Sequence, residues 1–369
     1  MTNEEKLDFI KANYKSARYW ELLQGEEKLI FYEEWIKTLM NIIPTNLYKY
    51  RSCNEDNLKM LQNKTAWFSC PSTWNDPIDV TVSYDLDKDA DELEKNFDHY
   101  VFKFAFAFIN KYIESFCNQK KFVTQEQVRE VYYKAFEGED GINVDRIIAY
   151  LEPVVGWKPA RQIAVKTQEA FMMVEKTEFK EQIVNGFRQF LGFNDIRTKM
   201  FMYSLSETYE NNHQWAMYAD GGKGFCIGYE IKPKSKEEAS MIPNLLPIYY
   251  GEKDDLLLSR MLDETLEYVM RQETLGDLVN QESESLYVAL HTKTLQWIGE
   301  EEWRFIIPID QAKYNAIPFD FAKSIYLGEN IEPEWKERLI SIAKEQNLKI
   351  YQRQLNRTKS KWIYSEVSI

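Results

Sequence analysis

The sequence is poor in the residues that usually mark metal and disulfide sites. Its 369 residues include only 3 histidines and 4 cysteines, and the cysteines form no CxxC pair. The sequence therefore predicts neither a structural zinc site nor a disulfide framework. Cations are also fewer than anions, 46 against 59, which gives a net charge of −13. This balance excludes an extended basic coat for nucleic acid and leaves room only for a local basic groove.

Long apolar runs are absent as well. The longest run, residues 101–109, is interrupted by Lys103, whereas a membrane-spanning helix needs about 20 apolar residues. The first residues, MTNEEKLDFI, have neither the basic nor the apolar region of a signal peptide. We therefore expect a cytoplasmic protein without a membrane partner. Aromatic residues are abundant, with 23 Tyr, 21 Phe and 10 Trp, and they are sufficient for a large core.

Hydrophobic periodicity divides the chain into three parts. Residues 1–44 predict helices, because apolar side chains recur every three or four positions up to Pro44. Residues 45–84 and 196–369 predict an α+β core with a split, mixed or antiparallel sheet. Residues 85–195 predict a large all-helical insertion between the two halves of that core.

Two cations alternate with two tyrosines in LYKYRS, the predicted strand at residues 47–52. Lys49 and Arg51 fall on one face of this strand, and Tyr48 and Tyr50 fall on the other. Two neighbouring cations suit a diphosphate or a phosphodiester. The alternative is a solvated edge strand.

The loop NDPID at residues 75–79 contains a second polar group. Asn75 and Asp76 either contribute to a binding site or cap their own turn as an Asx motif. Asp76, Asp79 and His213 also suggest a metal-dependent hydrolase, a weaker hypothesis because no carboxylate cluster lies nearby in the sequence. We expect no metal.

The segment WIGEEEWRF at residues 297–305 places Glu300, Glu302 and Arg304 on one face of a predicted strand. Two neighbouring carboxylates beside tryptophans predict a raised pKa for one of them, which is typical of catalytic acids. The alternative is an exposed, acidic strand end in which Glu302 pairs with Arg304 along the chain.

The C-terminal residues 349–361 contain five cations and no acidic residue. In an acidic chain this run is a local candidate for contact with nucleic acid or a nucleotide phosphate. The alternative is a solvated terminal strand.

Placed in order, these motifs resemble one family, the bacterial domain of unknown function 2971. The matching segments are LYKYR at 47–51, WNDP at 74–77 with Asp79, LSE at 205–207, residues 215–227, and Lys293 with WIGEEEWR at 297–304. The resemblance covers residues 45–80 and 200–355 and implies no activity.

A more distant resemblance is to the split-sheet ADP-ribosyltransferase fold, and it implies that NAD is the cofactor. Lys49 stands where that fold has His or Arg, Ser69 marks its second motif, and Glu302, preceded by Glu300, corresponds to the catalytic glutamate. That glutamate would stabilise an oxocarbenium-like transition state, and Tyr48 or Tyr50 would stack on nicotinamide. The residues proposed for cofactor contact are Tyr48, Lys49, Tyr50, Arg51, Ser69, Asn75, Asp76, Trp215, Tyr218 and Arg304.

Two functional hypotheses follow. The first is an NAD-consuming ADP-ribosyltransferase-like enzyme, a class that includes toxins and phage-defence effectors acting on a protein or nucleic-acid target. The second is a binding or sensor module that holds a nucleotide or nucleic acid without turnover. The departure from His or Arg at Lys49 favours the second hypothesis, because lysine is a point charge without the fork of arginine.

Overall fold

A computed structural model of the chain describes residues 1–74, 76, 78–81, 88, 91–92, 95–136, 142–174, 181–182, 185, 196–252, 284–309 and 315–368. The chain divides into two compact units. The first comprises Met1–Thr81, Ile196–Lys253 and Tyr287–Ile369, and the second comprises Val82–Asp195 and Asp254–Leu286. Within the described ranges, no helix combines the length and the apolar character needed to cross a membrane.

The fold is α+β, as the sequence predicts. The helices are α1 (Asn3–Leu22), α2 (Gly25–Ile42), α3 (Glu55–Gln62), α4 (Phe97–Gln119), α5 (Gln125–Phe136), α6 (Val144–Val155), α7 (Trp157–Val174), α8 (Asn212–Tyr218), α9 (Lys236–Met241), α10 (Glu284–Leu290) and α11 (Pro333–Gln346). The strands are β1 (Asn46–Arg51), β2 (Thr65–Trp67), β3 (Met200–Ser206), β4 (Phe225–Glu230), β5 (Leu245–Pro247), β6 (Tyr249–Tyr250), β7 (Thr292–Lys293), β8 (Glu302–Pro308), β9 (Ala316–Pro318), β10 (Ala322–Leu327), β11 (Lys349–Asn356) and β12 (Lys361–Glu366).

Eight strands of the first unit form one mixed sheet in the order β12-β11-β10-β4-β1-β3-β8-β5. Its neighbouring strands are antiparallel except for β10 and β11, which are parallel and joined through α11. Strands from before and after the second unit therefore pair within a single sheet. The predicted mixed sheet is confirmed, and the shorter pairs β2–β9 and β6–β7 lie outside it.

The ladder between β1 and β3 is interrupted near the middle of this sheet. A single register pair, Tyr48 with Ser206, joins the two strands, whereas β1 pairs with β4 along its whole length. Further along β3, Ser69 forms an isolated bridge with Met202. The facing edges of β1 and β3 therefore part beyond the Tyr48–Ser206 pair, and we call this gap the strand opening.

One face of the sheet covers the main hydrophobic core. Leu47, Tyr203 and Phe305 contribute to it from neighbouring strands, and Phe68 and Phe319 pack against them. The ring of Phe68 stacks on Tyr203 with centroids 5.2 Å apart. Burial of such rings, roughly 150–250 Å² each, is the main force that holds the helices on this face.

The opposite face carries a cluster of tyrosines, which we call the aromatic cluster. Tyr326 lies between Tyr209 and Tyr351, and its centroid is 4.2 and 5.0 Å from theirs in nearly parallel stacks. Arg353, from the basic C-terminal run, is buried there with its guanidinium 3.5 Å from the centroid of Trp362. The sequence allowed a solvent-exposed terminal strand here, but the Arg353 side chain is buried and packs on an aromatic ring.

The second unit has its own core, formed by α4 to α7. Apolar residues at helical spacing, including Phe106, Tyr132 and Leu151, are fully buried in it. Asn143 caps α6 by accepting a hydrogen bond from the backbone N–H of Arg146 at 3.0 Å. The described residues of this unit thus form a helical body with a continuous apolar interior.

Candidate functional site

A cleft of about 700 Å³ opens in the first unit at the strand opening. Lys49 and Arg51 line it from β1, Ser204 and Ser206 line it from β3, and Glu302 lines it from β8. A volume of this size is typical of sites for small organic ligands. The cleft therefore brings together segments that the sequence separates by about 250 residues.

The first lining segment is held in place by local sequence signals. β1 is followed by Asn54, whose side chain caps α3 by accepting a hydrogen bond from the N–H of Asn57 at 2.8 Å. The leucines of α3 that face the core, Leu58 and Leu61, are buried. The strand, the cap and the short helix thus fix the backbone that presents Lys49 and Arg51.

Lys49 and Arg51 both approach the ring of Tyr203. The Lys49 ammonium nitrogen lies 5.0 Å from the ring centroid and the Arg51 guanidinium carbon lies 5.5 Å from it. Lys49 Nζ donates a hydrogen bond of 2.7 Å to the carbonyl oxygen of Ser204 across the strand opening. Burial, reinforced by the neighbouring charge of Arg51, lowers the pKa of Lys49 to about 7. In the part of the chain that the structure describes, neither cation has an ion-pair partner.

Three carboxylates and two cations form a buried ion network on the other side of the cleft. Lys293 Nζ lies 2.6 Å from Glu300 Oε2, 3.2 Å from Glu302 Oε2 and 3.7 Å from Asp79 Oδ2. Arg304 donates from Nε to Glu302 Oε1 at 2.7 Å and from both terminal nitrogens to Asp79 at 3.0 and 3.2 Å. Each carboxylate thus has a cation within hydrogen-bond distance.

The pKa prediction for the paired glutamates is wrong for Glu302. Burial alone would raise the pKa of Glu302, but the charges of Arg304 and Lys293 outweigh burial and hold the pKa well below its usual value. The predicted pairing of Glu302 with Arg304 along the strand is present, although it is buried rather than exposed. Glu302 is therefore a permanently ionised carboxylate with both oxygens engaged.

Glu300 belongs to a 3₁₀ turn, Leu295–Glu300, and not to the strand. Glu301 follows it in the left-handed conformation, with φ of 47°, and turns the chain into β8. The carboxylate of Glu300 accepts hydrogen bonds from Tyr218 at 2.8 Å and from Lys293 at 2.6 Å. Burial and this carboxylate raise the pKa of Tyr218 above its usual value. Tyr218 therefore stays protonated as a donor to Glu300.

Side-chain alternation puts Glu302 on one face of the sheet and the cations Lys49 and Arg51 on the other. Glu302 pairs with Ser206, and Ser206 pairs with Tyr48, so these three share a face. Lys49 and Arg51, one residue out of phase, share the other face with Tyr203. They reach a common cleft with Glu302 only because the strand opening connects the two faces.

Ser69 lines the cleft and accepts a 2.7 Å hydrogen bond from Trp74 Nε1. Asp76 also lines the cleft, and its Oδ1 accepts from the N–H of Ile78 at 2.8 Å, which is the Asx turn of the alternative interpretation. Asn75 lies outside the described residues.

Four of the proposed cofactor contacts lie elsewhere or face away. The rings of Tyr48, Tyr50 and Trp215 pack in or beside the aromatic cluster, where Tyr50 meets Trp215 edge to face at 5.3 Å. Tyr48 and Tyr50 border the cleft, but ring packing already uses their faces. Arg304 has no exposed surface and supports the ion network from beneath the cleft rather than lining it.

Sequence reasoning about chemistry missed Lys293 and Trp297, and it considered Asp79 as a metal ligand rather than as the ion-pair partner of Arg304. Lys293 and Asp79 appear in the family pattern, but no local signal indicated that they would meet around Arg304. Trp297 lines the cleft with Lys293 Nζ 4.8 Å from its ring centroid. Its indole Nε1 is buried and has no hydrogen-bond partner among the described residues.

The described ranges contain no group of three or more His, Cys, Asp and Glu side chains that would hold a metal ion. His213 is exposed in the first turn of α8, where its N–H donates to Asn211 Oδ1 at 2.9 Å. Asp76 and Asp79 both line the cleft, but His213 does not, and Asp79 forms an ion pair with Arg304. The three residues suggested for a metal-dependent hydrolase are thus not gathered into one site.

A family model matches one part of the chain. No curated protein and no solved structure matches the chain, so the ADP-ribosyltransferase resemblance stays a prediction. The matched segment includes Tyr218, Lys293, Glu300 and Glu302, which supply much of the acidic side of the cleft. Residues 214–305 match the model of a family described as "Protein of unknown function (DUF2971)".

Proposed function

We propose that the cleft binds a nucleotide without consuming it, with the phosphates held by Lys49 and Arg51. The observation that carries this proposal is the pair of cations on β1, which border a ligand-sized cleft and have no carboxylate partner among the described residues. Both side chains are half-buried, and removing a charge from water is unfavourable unless an anion or a polar group compensates it. A phosphate supplies that compensation, and arginine can bind it through two parallel hydrogen bonds.

Aromatic groups in the cleft suit the base of a nucleotide. Trp67, which is 50% exposed, lines the cleft together with Trp74 and Trp297. An indole ring provides a flat apolar surface, and base–aromatic stacking contributes about 1–3 kcal/mol per base.

The ion network argues for binding rather than turnover. A catalytic glutamate needs an oxygen that can face the substrate, whereas Arg304 and Lys293 occupy both oxygens of Glu302. Their charges compensate the carboxylate that an oxocarbenium-like transition state would require. The ion network is better suited to stabilise the side of the cleft that Glu300, Glu302 and Asp79 form.

Calorimetric titration with NAD and with ADP tests the proposal. We expect saturable binding by the wild-type protein, and about 10- to 100-fold weaker binding by Arg51→Met, since a charge-assisted hydrogen bond contributes about 1.5–3 kcal/mol. Lys59→Met, which removes an exposed cation from α3, is the matched control and should bind normally. Absence of binding to both nucleotides would refute the proposal.

One observation favours NAD consumption as the second candidate. Lys49, Ser69 and Glu302, the three positions that the ADP-ribosyltransferase resemblance selects, line the same cleft. Release of nicotinamide from NAD separates the two candidates. Release that Glu302→Gln lowers by orders of magnitude, in a variant that still binds ADP, would replace the binding proposal with the enzymatic one.

A further inference from the structure

The cleft contains two lysines in opposite surroundings. Lys293 Nζ is surrounded by the carboxylates of Glu300, Glu302 and Asp79 at 2.6–3.7 Å. Lys49 Nζ has one polar partner within hydrogen-bond distance in the described structure, the neutral carbonyl of Ser204 at 2.7 Å. The carboxylates therefore hold Lys293 as an ammonium ion, whereas no carboxylate of the described residues does the same for Lys49.

The charged and polar groups that act on Lys49 come from several neighbouring elements. They are Arg51 on β1, Tyr203 and the Ser204 carbonyl on β3, Cys226 on β4, Glu300 in the 3₁₀ turn, and Glu302 and Arg304 on β8. Burial and Arg51 favour the neutral amine, while the more distant Glu302 and Glu300 oppose them. The net effect sets the pKa of Lys49 at about 7, so a large fraction is neutral at physiological pH. The pKa of Lys293 is raised by its carboxylates despite burial.

We propose that Lys49 is a nucleophilic lysine that forms an imine with the aldehyde or ketone group of a phosphorylated ligand in the cleft. The proposal deepens the proposed function and rests on it for the phosphate, which Arg51 holds. Desolvated lysines beside a second cation are the usual source of such amines. The ligand class is a small phosphorylated carbonyl compound, such as the open-chain form of a sugar phosphate.

The chemistry needs no further reactant. The Nζ lone pair attacks the carbonyl carbon, a C–N bond forms, and the C=O π electrons move to oxygen. Both amine protons are transferred to that oxygen, which leaves as water when the C–O bond breaks. The products are an imine and one water molecule, so atoms and electrons balance.

The geometry suits this step. The hydrogen bond to Ser204 uses one N–H of the amine and leaves the lone pair available. Lys49 and Arg51 are two positions apart on one strand, so their Cα atoms are about 7 Å apart. Their charged ends lie 5.0 and 5.5 Å from the centroid of one ring, that of Tyr203, so one small ligand can reach both. Lys49 is half-buried, and the ring of Tyr203 covers one side of both cations.

Reductive trapping with pyridoxal 5′-phosphate, a phosphorylated aldehyde, tests the proposal on the full-length protein. The imine is reduced with borohydride at pH 7, and the modified lysine is located by peptide mass spectrometry. We expect labelling of Lys49 to exceed that of Lys293 by about tenfold or more, because the neutral fraction of an ordinary lysine is on the order of a thousandfold smaller. Lys6, which is also buried, serves as a second internal control.

Two variants complete the test. Lys49→Arg keeps the charge but not the nucleophile and should lose the label, whereas Arg51→Met should lower the labelling rate of Lys49. Mapping the wild-type protein needs no variant to fold, so the test does not depend on their stability. Equal labelling of Lys49 and Lys293, or label confined to exposed lysines, would overturn the proposal.

The result of the trapping experiment can be distinguished from the result of the nucleotide titration. Nucleotide binding with no preference for Lys49 in the trapping would remove the imine and leave the proposed function intact. Selective labelling of Lys49 without any binding of NAD or ADP would keep the reactive lysine and remove the nucleotide.

Discussion

Lys293→Met tests how far the ion network holds the cleft together. Lys293 contacts Glu300, Glu302 and Asp79 within 3.7 Å, and its side chain is only 8% exposed. Methionine keeps the unbranched apolar stem but removes the charge, so three buried carboxylates then share the single cation Arg304. Removing one partner of a buried pair is costly because the remaining charge stays desolvated.

The expected loss is about 3–5 kcal/mol in the free energy of unfolding at pH 7. For a unit of this size the loss corresponds to a fall of roughly 6–20 °C in melting temperature. Urea denaturation followed by tryptophan fluorescence measures the free energy directly. Lys323→Met is the matched control, because Lys323 lies 3.9 Å from Glu230 with both side chains largely exposed, and its loss should stay below about 1 kcal/mol.

A pH series checks the cause of the effect. Folding holds the pKa of Glu302 below its ordinary value of 4.5, so the ion pairs stabilise the wild type above that pH and lose this contribution as pH falls. In Lys293→Met, Glu302 loses one of the two cations that lower its pKa and takes up a proton more readily, so the difference in stability between the two proteins should shrink as pH falls below about 4.5. A variant as stable as the wild type at pH 7, or a difference that does not change with pH, would refute the reasoning.

Three further perturbations have definite expected outcomes. Phe68→Ala should lower the free energy of unfolding by about 3–5 kcal/mol in chemical denaturation, because the ring is fully buried against Tyr203. Gly224→Ala should lower the melting temperature, since a Cβ atom there would lie 2.1 Å from the carbonyl oxygen of Arg51, and an unchanged melting temperature would contradict this packing. The affinity for NAD should fall as pH rises through about 7, because Lys49 loses its proton there while the diphosphate does not titrate, and Lys49→Arg should abolish this dependence in calorimetry.

Local signals were sufficient to predict the elements that border the cleft. The alternation in LYKYRS predicts β1, and the structure places that strand at Asn46–Arg51. Asn54 followed by acidic residues predicts the start of α3, where its side chain forms the cap. Such features depend on neighbours within a few residues, so they can be read from one sequence.

The ion network depends on residues that are distant in sequence and could not be predicted in the same way. Glu300 and Glu302 look like a carboxylate pair on one strand, but the left-handed Glu301 separates them into a turn and a strand. The pKa of Glu302 then depends on Arg304 and Lys293, and the position of Arg304 depends on Asp79 from a distant loop. A raised pKa was predicted because only the neighbouring carboxylate was visible, while the compensating cations came from tertiary structure.

The strand opening has a consequence for how the protein meets other molecules. Unpaired main-chain N–H and C=O groups normally occur at the rim of a sheet, where they invite association with other chains. Here the single Tyr48–Ser206 pair leaves the ladder between β1 and β3 open inside the sheet, with paired strands on both sides. Lys49 already donates to the Ser204 carbonyl, and Ser69 already pairs with Met202, so a further polypeptide strand finds no continuous edge of β3 to join. The opening therefore makes room for the cleft without exposing a sheet edge at which other chains could associate.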